Sequence, residues 1–154
     1  MKRIALSVFL VLVVISLCSG QWLETILPLP DSFGGLRWPD NVLYIPSSNA
    51  VYVSGAGDNV VALDAATGNK IARLASDGGV ETMSFWSAGN RVYAASRELH
   101  LIWVFDALSH QVRATIPVPM QPRVMCLNQV TGKLYVAGAS GDRLAVVDCV
   151  TDSV

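Results

Sequence analysis

The chain has 154 residues, which is room for about one domain. From residue 21 onward, nine Lys or Arg stand against twelve Asp or Glu, with no run of like charges. This mixed, slightly acidic composition lacks the basic stripe that binds a polyanion, so no nucleic acid partner is expected. The remaining apolar residues come in bursts too short to span a membrane and better suited to strands than to helices.

Residues 1–20 have the pattern of a secretory signal peptide. A Lys-Arg pair precedes the apolar run 4–17, which is shorter than the roughly 20 residues of a bilayer span, and small residues follow it. We expect cleavage after Gly20, a mature domain over 21–154, and a secreted, periplasmic or cell-surface location.

A lipoprotein signal is the alternative, with Cys18 as the lipidated residue. Leu17 stands where such signals usually carry a small residue.

The mature sequence repeats itself with a period of about 42 residues. A Tyr in the second apolar burst and an Asp at the end of the third recur in phase in three units, at Tyr52, Tyr93 and Tyr135 and at Asp64, Asp106 and Asp148. The units cover approximately 31–74, 75–118 and 119–154.

Each full unit holds four apolar bursts joined by segments of turn composition. In the last one these include "RVMCLN", "KLYVAG" and "RLAVVD". Four short strands in about 42 residues is the period of a β-propeller blade. The predicted fold is therefore all-β, a partial β-propeller with about three four-stranded antiparallel blades, whose strands we name a to d from the channel outward.

The stretch "ATIPVPMQPRVMCLNQVTGKLYVAGASGDRLAVVD" resembles the YVTN family of propeller repeats found in bacterial and archaeal secreted and surface proteins. Pro119 replaces the family's glycine, and Tyr93-Ala94 replaces its Tyr-Val pair. The resemblance covers roughly residues 22–154. It implies a fold and, more loosely, a role in binding or assembly.

The repeated aspartates begin the turn between strands c and d. An Asp there can accept hydrogen bonds from backbone N–H groups two or three residues on, so a structural role in the turn is expected for Asp64, Asp106 and Asp148. His110 stands where the first unit has Gly68 and the third has Asp152, a position expected to have a left-handed backbone.

A ligand-binding face is predicted where the b–c and d–a loops meet. The candidate residues on it are Arg37, Trp38, Asp58, Arg97, Glu98, His100 and Asp142. For Trp38 the alternatives are an interface anchor or a ring tucked under its loop as core, and the core position is favoured. A solvated loop tip remains the alternative for His100.

The mature cysteines are expected to be two small buried residues with free thiols. Cys126 falls on strand a and Cys149 just after strand c, about 9.6 Å apart across strand b. A disulfide requires Cα atoms within about 7 Å.

Three blades do not close a ring, because propellers have roughly four to eight. We therefore expect either missing C-terminal blades in a longer gene product or self-association. The segment 22–29, "WLETILPL", is in phase with a fourth strand that could complete a blade begun by C-terminal strands.

Two functions follow from the sequence. The first is a secreted or periplasmic binding or scaffold module for a protein or glycan partner, with no catalytic residues, metal or cofactor of its own. The alternative is the N-terminal part of a propeller enzyme, lactonase-like with calcium or quinoprotein-like, to which Glu81, Asp58, Asp142 and His100 would contribute.

Overall fold

The computed structural model describes residues 25–26, 36–57, 59–139 and 142–154, and every regular element in these ranges is a β-strand. The first sheet consists of β1 (Arg37–Ile45), β2 (Ala50–Ala56), β3 (Asn59–Asp64) and β4 (Lys70–Ala75). The second sheet consists of β5 (Val80–Trp86), β6 (Arg91–Ser96), β7 (Leu101–Asp106) and β8 (Val112–Pro117). The third sheet consists of β9 (Pro122–Asn128), β10 (Lys133–Gly138) and β11 (Leu144–Asp148).

Each sheet is an antiparallel meander in which every strand pairs with its neighbour in sequence. Side chains alternate between the two faces, as the period of a strand requires. On β2, Tyr52 packs towards the second sheet, whereas Val51 and Val53 join a separate cluster on the opposite face.

Two apolar cores lie between successive sheets. Tyr52, Val60 and Leu74 of the first sheet pack against residues of the second sheet that include Val92 and Phe105. The opposite face of the second sheet packs on the third, with Tyr93 and Ile102 in one cluster with Leu134, Val136 and Val147. The second sheet is thus covered on both faces, which explains why its strands lack a clean polar-apolar alternation.

The three repeated aspartates hold the turn after the third strand of each sheet. Asp64 Oδ1 accepts from the backbone N–H groups of Ala66 (3.0 Å) and Thr67 (2.8 Å). Asp106 Oδ1 accepts likewise from Leu108 (3.1 Å) and Ser109 (2.8 Å), and Asp148 Oδ1 from Val150 (2.8 Å). These donors lower the pKa of all three carboxyls, with Lys133 the first cause at Asp148. The predicted turn role is confirmed.

The residue four positions after each aspartate has a left-handed backbone. Gly68, His110 and Asp152 have φ values of 72°, 59° and 54°. The expectation for His110 is therefore confirmed, and the three turns share one conformation despite three different side chains.

A tyrosine hydroxyl joins each of the first two sheets to the left-handed turn residue of the next. Tyr52 Oη lies 2.7 Å from His110 Nδ1. Tyr93 Oη donates to Asp152 Oδ1 at 2.8 Å and to the carbonyl of Cys149 at 3.2 Å. Burial raises the pKa of both tyrosines, so the hydroxyls stay neutral.

The predicted burial of Trp38 is wrong. Its side chain is 81% exposed, and its backbone has φ 44° at an irregular stretch where the register between β1 and β2 shifts. The segment assigned to the end of a loop is in fact the start of β1, and Trp38 there projects away from the core.

The predicted burial of both cysteines is half wrong. Both are free, with β10 between β9 and β11, but Cys149 is buried and Cys126 is exposed. Cys126 lies on the face of the third sheet that packs on no other described strand, whereas Met125 and Leu127 beside it face the second sheet.

The predicted extra strand at 22–29 lies outside the described residues, apart from Thr25 and Ile26, which belong to no strand. After β11, an isolated bridge pairs Asp148 with Ser153. Within the described ranges, no helix has the length and apolar character needed to cross a membrane.

Replacing Asp106 by Ala should destabilise the protein by about 1 kcal/mol, because two backbone N–H groups and the Ser109 hydroxyl lose their acceptor at a partly exposed site. Urea unfolding measures this. The exposed Asp142→Ala variant is the control and should leave the midpoint unchanged. An equal effect of both substitutions would contradict a specific turn role for Asp106.

Acid should weaken the contact between the first two sheets through His110. Burial lowers the pKa of His110 below its ordinary value, with Asp106 opposing the shift. The folded state therefore binds fewer protons than the unfolded state, and this part of the stability is present above the unfolded pKa of about 6.5 and lost as the pH falls through the folded pKa.

Urea midpoints between about pH 7.5 and about pH 5 measure this effect, a range in which most carboxylates stay ionised. His110→Gly should reduce the pH dependence, since Gly68 is tolerated at the equivalent turn position. His100→Gly is the matched control, because His100 is exposed and has a similar φ of 53°. An unchanged slope in His110→Gly would overturn the assignment.

Candidate functional site

A cavity of about 490 Å³ lies on the face where the loops between second and third strands meet the loops between successive sheets. Its lining combines charged side chains with small backbone segments from both the first and second sheets. The lining residues are Asp40, Gly55, Ala56, Gly79, Val80, Glu81, Arg97, Glu98 and Gln121.

The charged side chains come from equivalent places in the fold. Asp40 lies on β1 and Glu81 on β5, near the start of the first strand of each sheet. Arg97 and Glu98 form the turn between β6 and β7. The antiparallel meander brings these strand starts and this turn to the same edge of the two sheets, which places the four side chains around one opening.

Two hydrogen bonds from the first sheet hold the backbone of two cavity-lining residues, Val80 and Glu81. Asn41 Nδ2 donates to the carbonyl of Glu81 at 3.3 Å, and the buried Ser54 Oγ donates to the carbonyl of Val80 at 3.2 Å. A side-chain carbon at Gly79 would lie 3.5 Å from the Gly55 carbonyl, so the two chain segments approach closely here. The start of β5 is therefore held against the first sheet.

One ion pair spans the cavity wall. Arg97 Nη1 lies 3.5 Å from Glu81 Oε1, and both side chains remain partly exposed. An exposed pair at this distance contributes little to stability, with a typical value below about 1 kcal/mol. Both groups therefore remain available for a ligand.

The charge of the lining is predominantly negative. Asp40, Glu81 and Glu98 carry carboxylates against the single guanidinium of Arg97. Ionised carboxylates are pure hydrogen-bond acceptors, so the cavity is suited to a ligand rich in hydroxyl or ammonium donors. Among the described residues, no group of three or more His, Cys, Asp or Glu is arranged to hold a metal ion.

Only some of the residues predicted for the binding face line this cavity. Arg97 and Glu98 do so. His100 and Asp142 are exposed but do not contribute to the lining, and Trp38 is exposed two residues before Asp40. Asp58 and the side chain of Arg37 lie outside the described part of the chain.

Sequence reasoning missed Asp40 and Gln121, and it placed Glu81 only within the enzyme alternative. A signal was available in the repeat, because Asp40 and Glu81 are in phase at the start of the first strand. Gln121 likewise occupies the phase of Gly79 in the next unit. Comparing the units position by position at the strand starts would have shown the acidic pair.

No family model matches the chain, and a comparison with curated proteins gives no match. Among solved structures, the fold resembles the hydrazine synthase of Kuenenia stuttgartiensis, with a TM-score of 0.71 and 18% identity over 86% of this chain. It also resembles the dihydro-heme d1 dehydrogenase NirN (TM-score 0.64, 13% identity, 75% of this chain) and a chain of the mitotic checkpoint complex (TM-score 0.59, 15% identity, 66% of this chain).

The chain spans 38% of the length of the hydrazine synthase chain, 27% of NirN and 33% of the checkpoint-complex chain. At such low identities the likeness shows the fold alone. The hydrazine synthase and NirN neighbours are β-propeller proteins, and the predicted all-β propeller fold class is confirmed.

Proposed function

We propose that this chain is a secreted or periplasmic propeller repeat protein of the YVTN type that binds a polar ligand at the loop face. The observation that carries the proposal is the cavity between the first two sheets, which is lined by four charged side chains and by a β5 backbone that hydrogen bonds hold to the first sheet. The signal-peptide pattern of residues 1–20 supports export. The Tyr and Asp repeat supports the YVTN assignment.

The chemistry of the rim favours a glycan or a peptide with basic side chains. Three carboxylates accept hydrogen bonds from hydroxyl or ammonium groups, and Arg97 supplies one donor for a carbonyl or hydroxyl oxygen. The exposed ring of Trp38, two residues before Asp40, is positioned on the same strand to extend the contact. Exposed Trp and Arg side chains commonly anchor interfaces. The chain supplies recognition rather than catalysis.

A charge series of sugars tests this proposal. Calorimetric titration with a cationic chitosan oligosaccharide, its neutral acetylated form and an anionic oligogalacturonate should give affinities in that order. Glu81→Gln should weaken cationic binding at least about fivefold, because one charge-assisted hydrogen bond is lost. Arg97→Gln should change the free energy of unfolding in urea by less than about 0.5 kcal/mol. A change in sugar affinity in this variant would therefore not reflect a loss of folding.

Asp142→Asn is the matched control, since it removes an exposed carboxylate that does not line the cavity. Its affinities should equal those of the unaltered chain. Equal affinity for all three sugars, or equal losses in Glu81→Gln and Asp142→Asn, would contradict the assignment of the site. A calcium-dependent rise in the thermal midpoint would favour the enzyme alternative instead.

A further inference from the structure

The contact between successive sheets has a fixed direction. In both cases the tyrosine of the second strand reaches forward to the turn after the third strand of the following sheet, from Tyr52 to His110 and from Tyr93 to Asp152. The third sheet carries the same tyrosine, Tyr135. The first sheet carries the same turn, Asp64 to Gly68. Neither of these has its counterpart within the described part of the chain.

The forward face of the third sheet is apolar, and no other described strand packs on it. Tyr135 is 38% exposed, whereas Tyr52 and Tyr93 in the same phase are fully buried. Leu144 is 60% exposed, whereas Val60 and Ile102 in its phase are fully buried. Val124, Val146 and Cys126 are exposed on the same face. The repeat therefore places on this face residue types that the first two sheets bury against a neighbour.

The opposite end of the chain has the complementary half. A cavity of about 240 Å³ lies beside the turn of the first sheet, lined by Thr25, Val51, Leu63 and the residues of that turn. Ala65 there is exposed, although the equivalent Ala107 and Cys149 are buried. Beside the equivalent turns of the second and third sheets, the corresponding space is filled by Tyr52 and Tyr93, respectively.

The first strand of the first sheet likewise has a face on which no described strand of another sheet packs. Val42 is 67% exposed. The equivalent residue in the second sheet, Met83, is buried in the core between the first two sheets. The equivalent residue in the third sheet, Met125, packs on the core between the second and third sheets. One chain thus carries both a cavity that no described tyrosine enters and a tyrosine face on which no other described strand packs.

We propose that these two surfaces bind each other between two copies of this chain, with Tyr135 of one copy entering the cavity at Ala65 of the other. The contact repeats the existing step from one sheet to the next, in which the tyrosine hydroxyl is hydrogen-bonded to the turn. Because the two surfaces differ, the contact is head-to-tail and must either close a ring or continue. The three described sheets of two copies make six, within the roughly four to eight blades of closed propellers.

The partner of Tyr135 follows from the repeat. Tyr93 donates to the carbonyl of Cys149 as well as to Asp152. Gly68 replaces Asp152 in the first sheet and has no side-chain acceptor, so the Ala65 carbonyl, in phase with that of Cys149, is the acceptor for Tyr135. Cys126 pairs with Tyr135 across the strands, so its thiol lies within the proposed contact.

Two charged substitutions should each prevent association from opposite sides. Sedimentation velocity of the full chain over a concentration series should show a two-copy species, and Leu144→Arg and Ala65→Arg should each sediment as monomers. Val130→Arg is the control for the first, because Val130 is 94% exposed in a hairpin turn. Ala88→Arg is the control for the second, because Ala88 is exposed in the turn between β5 and β6 and lines neither cavity. Both controls should keep the two-copy species.

Mixing the two monomeric variants gives the decisive result. Each retains the surface that the other has lost, so the mixture should form a one-to-one complex through a single intact contact. In the unaltered chain, alkylation of the Cys126 thiol should slow as the protein concentration rises. This measurement needs no variant, so a folding defect in a variant cannot affect it. A monomer at all concentrations, a mixture that stays monomeric, or a growing series of larger species would overturn the proposal.

Discussion

The hydrogen bond from a buried tyrosine to the turn of the next sheet is the interaction on which the rest of the structure depends. It occurs twice, and each time it crosses the apolar core that joins two sheets. A buried hydroxyl without a partner is costly, so each tyrosine favours only the packing that brings a turn within reach. Apolar packing supplies most of the attraction between sheets, and this bond sets their relative position.

The turn that receives the tyrosine is itself set by the repeated aspartate. The carboxylate holds the turn, and at His110 and Asp152 the left-handed residue four positions on faces the preceding sheet. Because Gly68, His110 and Asp152 share one backbone conformation, the sequence can change the chemistry of the contact without changing its geometry. The lowered pKa of His110 should make one contact sensitive to acid. Asp152 places the other contact in an ionic cluster with Arg91, at 2.9 Å.

The sequence period was sufficient to predict the strands, the turns and the propeller fold, because in-phase Tyr and Asp residues mark a local structure that each unit forms in the same way. It was not sufficient for Trp38 and Cys126, since burial at these positions depends on which neighbour covers a sheet face. The binding cavity was only partly predictable. Arg97 and Glu98 could be singled out in the sequence, because the equivalent loops of the other units are Gly-rich. Asp40 lies beside them only because the first sheet packs on the second.

A double-mutant cycle on Tyr93 and Asp152 tests most directly whether the tyrosine contact holds successive sheets in place. The free energy of unfolding would be measured in urea for Tyr93→Phe, Asp152→Ala, the double variant and the unaltered chain. The structure predicts a coupling energy of about 1 kcal/mol or more, because the 2.8 Å bond is largely shielded from water. Additive effects within about 0.3 kcal/mol would contradict the account.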